Sequence, residues 1–153
     1  MMSEDGPADI AMAHWQHVRA IEGASEVVAA LAIRYTLAIV TNATVSKRPD
    51  IVHALERVGL ATFFSEIFCY TDIGRKKDEP EFWQVVLTRL GAAPGEVIVI
   101  GDSLEQDVLG PMKCGIQAIW FGWKDRTASV PRDCRVIHRL SDLPALLRSE
   151  KGA

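Results

Sequence analysis

Five residues carry the chemistry this sequence offers: Thr41, Asn42, Lys77, Asp102 and Asp107. Asp102 follows the apolar run EVIVIG, and Asp107 comes five residues later, where a helix should begin. Two carboxylates so placed can hold a hard cation directly or through water. Asp102 or Ser103 can equally cap that helix, and Asp107 can favour its positive end. Thr41 and Asn42 close another apolar run, YTLAIVTN. A hydroxyl, an amide and free backbone N–H groups there can hold an anionic oxygen, although the same pair also makes local turn bonds. Lys77 lies in GRKKDEPEFW, just ahead of a helix whose start Pro80 marks. Its ammonium is a compact cation able to pair with a carboxylate and a phosphate together. Such a charge cluster is also what a solvated surface carries.

The elements that must position these groups alternate in texture. Short β-branched runs predict buried strands over Tyr35–Thr41, Glu66–Thr71, Glu96–Gly101, Ile116–Gly122 and, briefly, Arg135–Ile137. Helical spacing of apolar residues predicts helices over Ile10–Ile21, Ala24–Ile33, Val45–Leu60, Glu79–Leu90, Leu104–Lys113 and Leu143–Ser149. Pro49 suits a first helical turn, and Gly91 a helix end. Strands alternating with helices imply an α/β fold with a mostly parallel sheet flanked by helices. Ligands of such sheets bind beyond the carboxyl ends of the strands, where Thr41-Asn42 and Gly101-Asp102-Ser103 lie. Residues 1–9, polar and containing Gly6 and Pro7, read as a flexible tail; residues 10–150 read as one domain.

In order and spacing the three loaded segments resemble the haloacid dehalogenase (HAD) superfamily, which is mostly magnesium-dependent phosphatases. YTLAIVTN is similar to that family's second motif, GRKKDEPEFW to its third and GDSLEQD to its fourth. The third usually reads Gly-x-x-Lys-Pro-Asp-Pro, so Lys77 falls on the invariant lysine and Asp78 stands where a proline is common. The resemblance covers Ile21 to Trp123. It implies a Rossmann-like core in which Thr41 and Asn42 bind phosphate, Thr41 and Lys77 serve catalysis, and Asp102 with Asp107 anchors Mg2+. The substrate it implies is a small phosphorylated metabolite.

The family's first motif, a strand followed by Asp-x-Asp-x-Thr or Ser, has no counterpart here; Asp5 and Asp9 have the wrong spacing and no apolar strand ahead of them. In the family that motif supplies the nucleophile, the general acid and base, and part of the magnesium site. The remaining residues supply only positioning and charge stabilisation. The expectation is an incomplete, truncated core, inactive or nearly so, in which Mg2+ is held weakly or not at all. The nucleophile-bearing central strand is missing. Its flanking strands, Tyr35–Thr41 and Glu96–Gly101, could pair directly, accept a strand from another chain, or belong to a natural protein that begins roughly 80 to 100 residues earlier. The alternative function is a non-catalytic module that binds phosphate or pairs with itself through unpaired strand edges. A phosphoacceptor receiver domain fits poorly, because its acidic pair belongs on the first strand.

Composition narrows the classes further. The chain has 153 residues, 48% hydrophobic, with Lys+Arg 17 against Asp+Glu 20. A net charge of −3 gives no reason to expect nucleic acid or an acidic membrane face as a partner. No apolar run approaches the ~18 residues of a membrane span. Cys69, Cys114 and Cys134 are far apart and lack CxxC spacing, which suits reduced thiols of a cytoplasmic protein.

Overall fold

Apolar runs too short for helices become the strands, and the polar turns between them set where the sheets break. The computed structural model describes residues 2–3, 7, 9–124 and 129–148. Its strands are β1 (Met2–Ser3), β2 (Arg19–Ala20), β3 (Ala38–Thr41), β4 (Glu66–Cys69), β5 (Ile98–Gly101), β6 (Gln117–Phe121) and β7 (Arg135–Ile137). Its α-helices are α1 (Ala24–Ala32), α2 (Arg48–Arg57), α3 (Tyr70–Ile73), α4 (Pro80–Leu90), α5 (Gly110–Met112) and α6 (Leu143–Arg148). The chain divides into two compact units, Met1–Gly74 with Leu140–Ala153, and Arg75–Arg139.

In the first unit β3 and β4 pair in parallel, with Thr41 opposite Cys69. Val27, Val28 and Leu31 of α1, Ile51, Ala54 and Leu55 of α2, Phe68 of β4, and Leu143 and Leu147 of α6 form its core. Pro49 sits in the first turn of α2, where its missing N–H costs nothing, and Asp50 accepts a 2.9 Å bond from the Lys47 N–H. Met2–Ser3, part of the expected tail, pairs antiparallel with Arg19–Ala20; residues 1, 4–6 and 8 lie outside the described residues.

The helix expected over Ile10–Ile21 does not form. Only a single 3-10 turn, Met12–His14, stands there, followed by β2. The Arg57 guanidinium is the physical reason. It donates to the carbonyls of Ala13 (2.9 Å), Trp15 (2.6 Å) and Gln16 (3.2 Å), drawing them out of the i to i+4 ladder. Trp15 is half-buried there.

In the second unit β5, β6 and β7 form a parallel sheet in that order. Phe82, Trp83 and Val86 on the apolar face of α4, Val99, Ile119 and Trp120 of the sheet, and Val108 are buried. Gly91 closes α4 at φ 61°, a left-handed value that suits glycine. The predicted single helix over Leu104–Lys113 is instead a π-helical turn, Leu104–Leu109, running into α5. Pro111 has no N–H to continue the ladder, and Gly110 donates to the Glu105 carbonyl five residues back.

β3 belongs to the sheet of the first unit and β5 to that of the second. Among the described residues each has one strand neighbour, β4 for β3 and β6 for β5. The cysteines are free thiols, with Cys69 and Cys134 buried. Burial pushes the Cys134 thiol above its ordinary range, which makes it a poor nucleophile near neutral pH. No helix among the described residues is long and apolar enough to cross a membrane.

Candidate functional site

The second unit gathers three of the five chemical residues around the turn that follows β5. In the run Arg75-Lys76-Lys77-Asp78, three side chains are exposed and Lys77 alone is buried. The solvated-cluster reading thus holds for its neighbours and fails for Lys77. The loop is closed by Glu79, whose carboxylate accepts 2.8 Å from the Lys76 N–H and 3.2 Å from Arg75. The Lys76 backbone bond, aided by Arg75, holds the Glu79 carboxyl below its usual range. At the other end the Trp83 indole donates 2.6 Å to the Lys77 carbonyl, pinning the backbone from the buried face of α4.

From this anchored loop the Lys77 Nζ donates to Asp107 Oδ1 at 2.5 Å, with both side chains at 10% exposure or less. The second oxygen of Asp107 accepts from the Ser103 N–H at 3.1 Å. Ser103 also caps the helical turn, its Oγ accepting 3.3 Å from the Gln106 N–H. The capping reading of this stretch is realised: Ser103 caps the turn and Asp107 is held in its first turn. Two glycines make the close packing possible. A side chain at Gly101 would collide with the Asp107 carboxylate, and one at Gly110 with the Lys77 carbonyl.

Asp102 is exposed at the carboxyl end of β5. Two tryptophans hold it. Trp120 donates 3.1 Å to its backbone carbonyl and Trp123 donates 3.3 Å to its Oδ2. Sequence reasoning does not single out these aromatics and misses the indole contacts. The available signal is two tryptophans three apart at the end of the strand that pairs with β5.

Thr41 and Asn42 stand in the first unit, at the carboxyl end of β3, and both are half-buried. Thr41 Oγ1 accepts 3.2 Å from the Ala43 N–H, the local turn bond expected of a threonine at a strand end. The loop that follows is tied to the end of β4. Thr71 donates 3.1 Å to the carbonyl of buried Ser46, and Arg48 pairs with Asp72 at 3.0 Å.

A hard divalent cation fits the acidic pair in part. Asp102 and Asp107 offer oxygen donors, and each carboxylate oxygen has more than one acceptor position. Both oxygens of Asp107 already serve Lys77 and Ser103, and among the described residues no three acidic, histidine or cysteine side chains cluster as a metal site. The donor set suits an ion that keeps several waters, as magnesium does.

The profile of the haloacid dehalogenase-like hydrolases matches residues 8–121. A phosphoserine phosphatase of Thermus thermophilus is 33% identical over 103 residues, 65% of this chain and 40% of that protein. The HAD-hydrolase YfnB of Bacillus subtilis is 32% identical over 136 residues, 85% of this chain and 55% of that one. The pyrophosphatase PpaX of Oceanobacillus iheyensis is 32% identical over 79 residues, covering 51% and 36%. The chain thus spans about half the length, or less, of these curated relatives. A crystal structure of YfnB bound to magnesium superposes with TM-score 0.74 at 28% identity, over 84% of this chain and 55% of that one. An uncharacterised Listeria monocytogenes protein superposes at 0.82 over 94% of this chain and 88% of its own, and at 20% identity it shows the fold alone. With its α/β fold of parallel sheets and its matched motifs, the chain belongs to the haloacid dehalogenase-like hydrolase family.

Proposed function

We propose that this chain carries the phosphate- and magnesium-handling part of a phosphatase acting on a small phosphorylated metabolite, and that alone it does not turn substrate over. The buried Lys77–Asp107 pair beside Asp102 carries this reading. A lysine is desolvated at such cost only when a carboxylate compensates it. Here the pair stands next to the strand end where an α/β sheet takes its ligands. Asp102 and Asp107 would hold Mg2+ weakly. When bound, the ion supplies positive charge against phosphoryl oxygens. The Lys77 ammonium adds a fixed positive charge that needs no reorganisation as the phosphate binds. The assignment of Thr41 and Asn42 to phosphate binding rests on the family resemblance. Their hydroxyl and amide are of the right type for it.

No residue named above is an oxygen nucleophile with a proton-managing partner, and covalent phosphoryl transfer needs both. With p-nitrophenyl phosphate and Mg2+, turnover by this chain should be indistinguishable from that of its Asp102→Ala variant. Turnover in the parent that Asp102→Ala abolishes would overturn the inactivity claim. The free, partly buried cysteines are consistent with a cytoplasmic setting.

Among the described residues β3 and β5 each pair with one strand only, which favours a second reading, a non-catalytic module that associates with itself or another chain through open strand edges. Ile100, at 37% exposure on β5, is an apolar side chain on such an edge. This reading predicts association without phosphate hydrolysis.

A further inference from the structure

The Trp123 indole N–H donates to Oδ2 of Asp102 at 3.3 Å. We propose that Trp123 is a positioning residue for Asp102: its indole holds one carboxylate oxygen and so orients the other toward a divalent cation. The proposal rests on the magnesium reading above and names a residue that acts through the ligand.

Three observations carry it. The indole is a donor only, with no acceptor atom, so it can orient a carboxylate without competing with it for the metal. The ring is itself fixed, stacked on Phe121 at 6.1 Å between centroids and 17° between planes, with the Lys124 ammonium 4.7 Å above it. Phe121 is buried, so the stack is anchored in the second unit. The backbone of Asp102 is held separately. Gly101 pairs with Trp120 in the sheet register, and Trp120 donates to the Asp102 carbonyl while packing among Val108, Ala118 and Cys134. With the main chain held by one indole, the remaining freedom of the exposed carboxylate is rotation about its side-chain bonds. The second indole restrains that rotation. Hydrogen bonds of this kind to ligating groups are worth roughly 10–100-fold in metal affinity.

The test is Mn2+ titration of the whole chain, followed calorimetrically and by paramagnetic resonance, for wild type, Trp123→Phe, Asp102→Asn and the double variant. Phenylalanine keeps an aromatic ring against Phe121 and removes the N–H donor. Trp123→Phe should weaken Mn2+ binding roughly 10–100-fold at unchanged Tm, and should cost nothing further in the Asp102→Asn background. In the metal-free protein, Asp102→Asn should move the Trp123 indole N–H resonance. Wild-type affinity in Trp123→Phe, or an indole resonance indifferent to Asp102→Asn, would overturn the role and leave the magnesium reading standing. No Mn2+ binding by wild type, or undiminished binding by Asp102→Asn, would overturn the magnesium reading and the role with it.

Discussion

Lys77 and Asp107 show how far a single pair can differ from its surroundings. Exposed ion pairs contribute about 0–1 kcal/mol, because water screens them and long side chains lose freedom. This pair is screened far less, and each partner answers for the other's desolvation. Lys77→Met leaves the Asp107 carboxylate buried with one partner fewer, and should cost about 3–5 kcal/mol of stability. A denaturant titration reads that loss. The double variant Lys77→Met/Asp107→Leu should recover most of it, since two apolar groups of similar size need no mutual compensation. A loss below 1 kcal/mol in the single variant would mean that the pair is hydrated in solution.

At the scale of elements, the turn after β5 inverts an ordinary propensity argument. Glycine in a helix interior normally costs about 1 kcal/mol relative to alanine, so Gly110→Ala should stabilise α5. Instead the added methyl meets the Lys77 carbonyl, a backbone atom that cannot rotate aside. Overpacking costs typically 1–3 kcal/mol, which exceeds the propensity gain. Gly110→Ala should therefore lower Tm, and a raised Tm would show that the Lys77 loop yields. The strands and α4 were legible because their apolar runs are bounded by clear stops, Gly91 and Gly101 among them. The burial of Lys77 was not, because nothing in Arg75-Lys76-Lys77-Asp78 marks one cation among three. That choice is made thirty residues on by Asp107, and by Trp83 and Gly110. The failure at Ile10–Ile21 has the same origin: its apolar spacing is helical, but a guanidinium from α2 claims its carbonyls. Long-range polar partners override local periodicity in both places, and local periodicity is what a single sequence displays.

For the whole molecule, family membership and fold follow from the matched profile and the parallel sheets. The strand edges left unpaired among the described residues make association in solution testable. A lysine on an exposed edge strand discourages pairing with another chain. Ile100→Lys should reduce concentration-dependent association in sedimentation velocity while leaving the circular dichroism unchanged. An assembly state that is the same in both proteins would argue against these edges as the contact.

The burial of one lysine also makes the second unit a reporter of its own opening. Lys47, Lys76, Lys113 and Lys124 are exposed and Lys77 is not. An amine-acylating reagent should modify the first four promptly. It should reach Lys77 only when the loop before α4 parts from Asp107, at a rate set by local opening. Mass spectrometry of timed samples would then read the lifetime of that closed state from a single peptide, with four neighbouring amines as internal standards for reagent strength.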